Sequence, residues 1–127
     1  MVTVADKQKA AKVPLWQGVI AYFSSALQAV AAISRMGAAK HNNGVMPTKW
    51  RAYQVETYSD ALARHITEEG KGDLYDSESN MLHAAHAAWN ALARLEKLLE
   101  RYPLVRPQPV AVEVTPSMDS ITGDEEK

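Results

Sequence analysis

Between Ser79 and Arg101 the apolar residues Met81, Leu82, Ala85, Trp89, Leu92, Leu95, Leu98 and Leu99 recur at steps of three and four, and no other feature limits the fold so strongly. A helix turns about 100° per residue, so this spacing predicts one long helix carrying an apolar stripe. The same helix carries an unusual polar load. His83, His86 and Asn90, three and then four apart, project from one face, and the alanines between them keep that face open. Upstream, Asp76, Ser77 and Ser79 each offer an oxygen to the free amides at the expected helix start, where acidic groups also suit the positive end of the dipole. Two imidazoles and an amide on an alanine-rich face have three uses: ligating a metal, orienting a carboxylate, or bonding to one another inside a bundle. Spacing alone leaves all three open.

Composition narrows the chemistry. At 127 residues the chain is the size of one domain with a modest core. A formal net charge of −1, with basic residues scattered among acidic ones, provides no basic stripe of the kind that phosphate-backbone binding needs. Charge therefore gives no ground for expecting a nucleic-acid partner. Cysteine is absent, which removes disulfides, thiolate zinc sites and a cysteine nucleophile; any metal would see only oxygen and imidazole. No apolar run reaches the roughly 18 residues of a membrane span, and Met1 to Lys12 lacks the apolar centre of a signal peptide. The expected location is soluble and cytoplasmic.

In chain order, residues 1–13 are expected to form a loose arm, 14–102 a helical domain, and 103–127 an extended or disordered tail. Pro14 breaks regularity, and from about Trp16 to Lys40 the residues Val19, Ile20, Phe23, Leu27, Val30, Ala31, Ile33 and Met36 predict a first helix, weakened near Gly18. His41 to Lys49, rich in Asn, Gly and Pro, predicts a loop. Lys40, His41 and Lys49 make that loop positive, and Trp50 and Tyr53 place aromatic surface beside it, a combination suited to a phosphate and a base or to a solvated loop anchored by a buried Trp. A second helix is predicted from about Gln54 to Glu69 through Val55, Tyr58, Leu62 and Ile66, with Gly70 as its stop. Pro103, Pro107, Pro109 and Pro116 oppose regular structure in the tail, where Val110 to Val114 alternates enough for an edge strand. Three such helices form an all-α bundle whose stripes exceed what a small monomer covers, so a homodimer or homotetramer is expected.

All four histidines, His41, His65, His83 and His86, lie on or beside these helices. From about Leu27 to Glu96 the chain resembles the dATP/dGTP diphosphohydrolase N-terminal domain family, a phage-rich group within the all-α MazG-like nucleotide pyrophosphohydrolases. The resemblance is carried by Met-Gly-Ala-Ala-Lys at 36–40, Trp50, Tyr-Ser-Asp-Ala-Leu-Ala-Arg-His at 58–65, and Asp-Ser-Glu-Ser followed by His-Ala-Ala-His-Ala-Ala-Trp-Asn at 76–90. It implies an oligomeric helical bundle that cleaves a purine deoxynucleoside triphosphate to monophosphate and pyrophosphate with Mg²⁺ or Mn²⁺.

Carried over residue by residue, the resemblance implies Glu78, His83 and His86 as catalytic groups nearest metal and phosphate, with Asn90 orienting them. Asp60, Asp76 and Glu78 would hold metal. Arg64 and His65 would face the site from the second helix, Lys40 would meet the phosphates, and Trp50 would shape the base pocket. The chain departs from the family on its first helix. Relatives place several glutamates there, where this sequence has Ser25, Gln28, Ala29 and Ala32. Fewer carboxylates weaken metal retention and charge balance, which leaves two alternatives to an enzyme: a nucleotide-binding module without turnover, and a structural bundle with a buried polar network.

Overall fold

The computed structural model describes residues 12–47, 50 and 52–109. Within them the fold is helical, with three main helices: α1 (Ser24–His41), α2 (Val55–Gly70) and α3 (His83–Leu99). The described residues contain no strand; an isolated antiparallel bridge joins Tyr75 and Leu82. The all-α expectation holds. The arm before Lys12 and the Val110–Val114 run lie outside the described residues. Residues 103–109 are without helix or strand, as their prolines require. No helix among the described residues is long and apolar enough to cross a membrane.

The first predicted helix is broken in two. Pro14 starts a helical path, and Trp16–Ile20 forms a π-helical turn closed by the Ala21 N–H on the Trp16 carbonyl at 2.8 Å. Phe23 then leaves helical geometry, with φ −122° and ψ 36°, and α1 begins after it. At its other end α1 closes as its Asn-Asn-Gly sequence allows. Asn43 and Gly44 take positive φ, and the Gly44 N–H reaches back to the Ala38 carbonyl at 2.9 Å. The end of α2 differs from expectation. Gly70 is its last helical residue, and the left-handed residue that turns the chain is Gly72, at φ 100°.

α3 is the central element. It packs against both α2 and α1, most extensively against α2, whereas α1 and α2 do not pack on each other. Alanines make this closeness possible: Ala87 and Ala93 are buried on α3 and Ala38 on α1. Trp89 joins the layers. Its indole N–H donates to Ser34 Oγ on α1 at 2.8 Å, and its ring lies within aromatic contact of Trp50 and Tyr58. Arg94 Nε donates to Ser59 Oγ at 2.7 Å, a second tie between α3 and α2.

Among the described residues the buried apolar core is small, comprising Ile33, Ala38, Tyr58, Ala87 and Ala93. The leucines predicted to be core are only half covered: Leu92, Leu95 and Leu99 form an exposed row along α3, and Trp16, Tyr22 and Phe23 are exposed around the π-turn. The buried polar residues beside that core are His65, His83 and His86, at 6%, 4% and 7% exposure. Histidine is seldom buried to this degree without partners, so the helices are positioning these rings.

Candidate functional site

The loop from Asp73 to Leu82 builds the site. It was expected to belong partly to the third helix, with Asp76, Ser77 or Ser79 as its cap, and the structure corrects both points. α3 starts at His83, Leu82 occupies the capping position, and no side chain caps the helix. The loop instead satisfies its own backbone. The Asp76 N–H donates to the Met81 carbonyl at 2.8 Å, the Asn80 N–H to the Asp76 carbonyl at 2.7 Å, and the His83 N–H to the Leu74 carbonyl at 2.9 Å. Asn80 supplies the positive φ of 62° that the tight turn needs. Asp76 Oδ2 accepts the Ser79 N–H at 2.8 Å, and Ser79 Oγ accepts the Met81 N–H at 3.2 Å. These oxygens hold the loop shut rather than capping a helix, and in doing so they aim Asp76 and Ser79 at the imidazoles.

The three rings meet between α2 and α3. His65 Nδ1 and His83 Nδ1 stand 2.8 Å apart and share a hydrogen bond, while His65 stacks on His86 at 4.5 Å with only 8° between planes. Ser79 Oγ pairs with His86 Nε2 at 2.7 Å. Carboxylates approach without closing hydrogen bonds: Asp73 Oδ2 is 3.8 Å from His83 Nε2, and Asp76 Oδ2 is 3.9 Å from His86 Nε2. His83 Nε2 is buried and has no hydrogen-bond partner. His65, Asp76 and His83 each offer a ligand atom, and these atoms all lie within 4.8 Å of one another, close enough to share a metal ion. A recess of about 180 Å³ opens onto them, lined by Arg64, His65, Glu68, Asp73, Asp76, Ser77 and His83.

Burial, reinforced by the neighbouring His86 and Arg64, pushes His65 below the usual histidine pKa, and Asp76 opposes this only in part. Burial also lowers His86, against the pull of Asp76. For Asp76, burial pushes the carboxyl up, but the Ser79 hydrogen bonds and the fields of His86 and His65 outweigh it, and the net direction is down. The folded state therefore favours neutral His65 and His86 beside an ionised Asp76. In the unfolded chain these histidines return to about 6.5, so on acidification the unfolded state takes up protons first. Stability should be fully present above that value and fall as pH drops below it. In chelator, the urea midpoint is expected to decrease between about pH 7.5 and about pH 5.5, and a midpoint that rose would contradict this protonation pattern.

The other expected site residues are distributed unevenly. Arg64 lines the recess with Asp76, His65 and His83, so four of the ten residues converge directly, with His86 stacked behind them. Glu78 is exposed and outside the metal-capable group. It accepts a hydrogen bond from Lys40 Nζ at 2.8 Å, an ion pair that pins the loop to the end of α1. Asp60 is exposed on α2 and also outside that group. Asn90 donates to the His86 carbonyl of its own helix at 2.8 Å, a backbone bond and not one to the rings. Trp50 packs on Tyr58 and Trp89 at 5.6 and 5.8 Å, and with Trp89, Val30, Ser34, Leu92, Ala93 and Glu96 it lines a separate open recess of about 250 Å³. Ser79, expected as a cap and as part of the Asp-Ser-Glu-Ser segment, is a site residue through its pairing with His86, and the seven-residue spacing that brings them together depends on the loop fold.

The described residues form an all-α fold in which three buried histidines and a carboxylate lie between packed helices and meet an arginine-edged recess. More narrowly, the chain belongs to the family described as dATP/dGTP diphosphohydrolase, N-terminal, whose sequence model matches residues 3–105. The MazG-like all-α placement is consistent with this membership. No curated protein and no solved structure matches the chain.

Proposed function

We propose that this chain hydrolyses a purine deoxynucleoside triphosphate to its monophosphate and pyrophosphate, using a divalent cation and acting as a homo-oligomer. The observation that carries the reading is that Arg64, His65, Asp76, His83 and His86, residues bearing the family resemblance from three separate segments, surround one recess and its buried rings. The donor set of His65, Asp76 and His83 suits a cation, which when bound would neutralise triphosphate oxygens and lower the pKa of an attacking water. The remaining tasks fall to the protein. Arg64 presents a guanidinium at the recess edge, suited to non-bridging phosphate oxygens. His86, kept neutral by burial and held through Nε2 by Ser79 Oγ, is suited to take a proton from water relayed by that hydroxyl. Lys40, now paired with Glu78, can exchange that carboxylate for a phosphate at little cost, because the pair is exposed. The Trp50–Trp89 recess offers aromatic surface for a base.

A second reading has its own support. α1 contains no acidic residue, so the carboxylates that relatives carry there have no counterpart among its side chains. A chain that captures nucleotide without turnover would tolerate that loss. The exposed row Leu92, Leu95 and Leu99 and the exposed Trp16, Tyr22 and Phe23 support assembly in either case. Pyrophosphate release from each common deoxynucleoside triphosphate, measured with divalent metal and with chelator on the species identified by light scattering, separates the readings. Metal-dependent release selective for a purine is expected. Nucleotide-dependent thermal stabilisation without release would establish capture instead, and a purely monomeric species would remove assembly from the proposal.

A further inference from the structure

The recess between α2 and the Asp73–Leu82 loop presents nitrogen, not only oxygen, to whatever occupies it. His65 and His83 turn Nδ1 atoms toward each other at 2.8 Å. Two ligands about 2.0–2.1 Å from a common ion stand about 2.9 Å apart at a right angle and about 3.3 Å apart at the tetrahedral angle, so the rings meet a six-coordinate ion as they stand and a tetrahedral one after moving apart by about half an ångström. His83 is 4% exposed and its Nε2 has no partner. That nitrogen stays unpartnered whether a proton or an ion lies between the Nδ1 atoms, so it marks a buried polar site without choosing between them. Asp76 completes the group, its carboxylate oriented by the Ser79 N–H, and the parallel stack of His86 on His65 holds the ring plane. His86 itself is engaged through Nε2 with Ser79.

The donor chemistry discriminates among ions. Mg²⁺ keeps several waters and favours carboxylate and phosphate oxygen, whereas imidazole suits zinc, iron, nickel and their neighbours. Two imidazoles and one carboxylate beside an open recess leave positions for water or a ligand. We infer that His65, Asp76 and His83 form a seat for one transition-metal ion of the Zn²⁺, Co²⁺ or Fe²⁺ type, taken in preference to Mg²⁺. The seat deepens the hydrolase reading by naming its cation class, but it does not depend on turnover, since a chain that only captured nucleotide would hold the ion with the same side chains.

The test is a Co²⁺ titration of the full chelator-treated chain without nucleotide, followed by visible absorption and calorimetry. The expected result is saturation at one Co²⁺ per chain, with absorption bands that Zn²⁺ abolishes and a large excess of Mg²⁺ leaves unchanged. Asp76→Asn and His83→Gln should each weaken Co²⁺ by more than about tenfold, while His41→Ala, at an exposed histidine on the end of α1, should leave it unaltered. Since His83→Gln alters a buried ring and can fail to fold, Asp76→Asn decides the matter alone: Asn has the same shape and still accepts the Ser79 N–H. Absence of saturable binding, affinity unchanged in Asp76→Asn, loss of binding in His41→Ala, or ready displacement by Mg²⁺ would overturn the seat. A Co²⁺ seat in a chain that releases no pyrophosphate would overturn the hydrolase reading and leave the seat standing; release without a seat would do the reverse.

Discussion

Replacing His83 and His86 together by alanine is expected to abolish pyrophosphate release, by more than about 10³-fold, while far-UV circular dichroism keeps its helical shape. The two rings do different work in the proposed reaction. His83 is one of three residues whose ligand atoms cluster for a cation, and His86 holds the Ser79 hydroxyl at 2.7 Å and stacks on His65. Removing both takes away a ligand and the proton acceptor at once. It also takes the partner from His65 Nδ1 and one of two partners from Ser79 Oγ, at about 1–3 kcal/mol for each unmet group that water does not reach, so the variant should melt lower than the parent and be assayed cold. Loss of helicity and of assembly in the cold would show instead that the rings form a structural network. A folded double variant with undiminished release would remove the cluster from the chemistry altogether.

Trp89→Ala should cost up to about 3–5 kcal/mol, the range for losing a fully packed aromatic, since Trp89 is half-buried at an open recess. Trp89 reaches both neighbouring helices and the aromatic cluster: Ser34 on α1 through its N–H, Tyr58 on α2 at 6.1 Å, and Trp50 edge-on at 5.8 Å. α1 reaches the other main helices only through α3, so the loss should detach α1 as well as open a cavity. Against a total stability of about 5–15 kcal/mol for a domain, this is a large share, and at the lower end of that range the variant would be close to unfolded at room temperature. Trp89→Phe keeps a ring and loses the Ser34 bond, and should cost only about 1–2 kcal/mol. Urea midpoints of the two variants check this, and a Trp89→Ala loss below about 1 kcal/mol would mean that α1 is held elsewhere, for instance by another copy.

The helical layout was legible because periodicity is local. Tyr58 and His65 on one helix, and His83, His86, Ala87 and Ala93 on another, sit on buried faces at helical spacing. Prolines announced the end of the third helix, and an Asn-Gly pair announced the end of the first. Legibility failed where neighbouring groups compete for the same hydrogen bonds. Asp76 and Ser79 have the chemistry of helix caps, yet they bond within their own loop, and α3 starts four residues later than expected. Gly70 looked like a stop, but the chain stayed helical through it and turned at Gly72.

The site divides along the same line. Residue types and the family resemblance singled out Arg64, His65, Asp76, His83 and His86, because helical spacing and motif are properties of the chain itself. Family membership is likewise a property of sequence, and the match over residues 3–105 bears it out. Which of these groups touch was decided by tertiary packing alone. The crossing of α2 on α3 brings His65 to 2.8 Å from His83 across 18 residues of chain, and the closed loop carries Asp76 in beside them while Lys40 draws Glu78 outward. A hydrogen bond or a metal seat depends on separations of a few tenths of an ångström between side chains of different helices, and periodicity, which fixes only the face a residue occupies, contains no such distance.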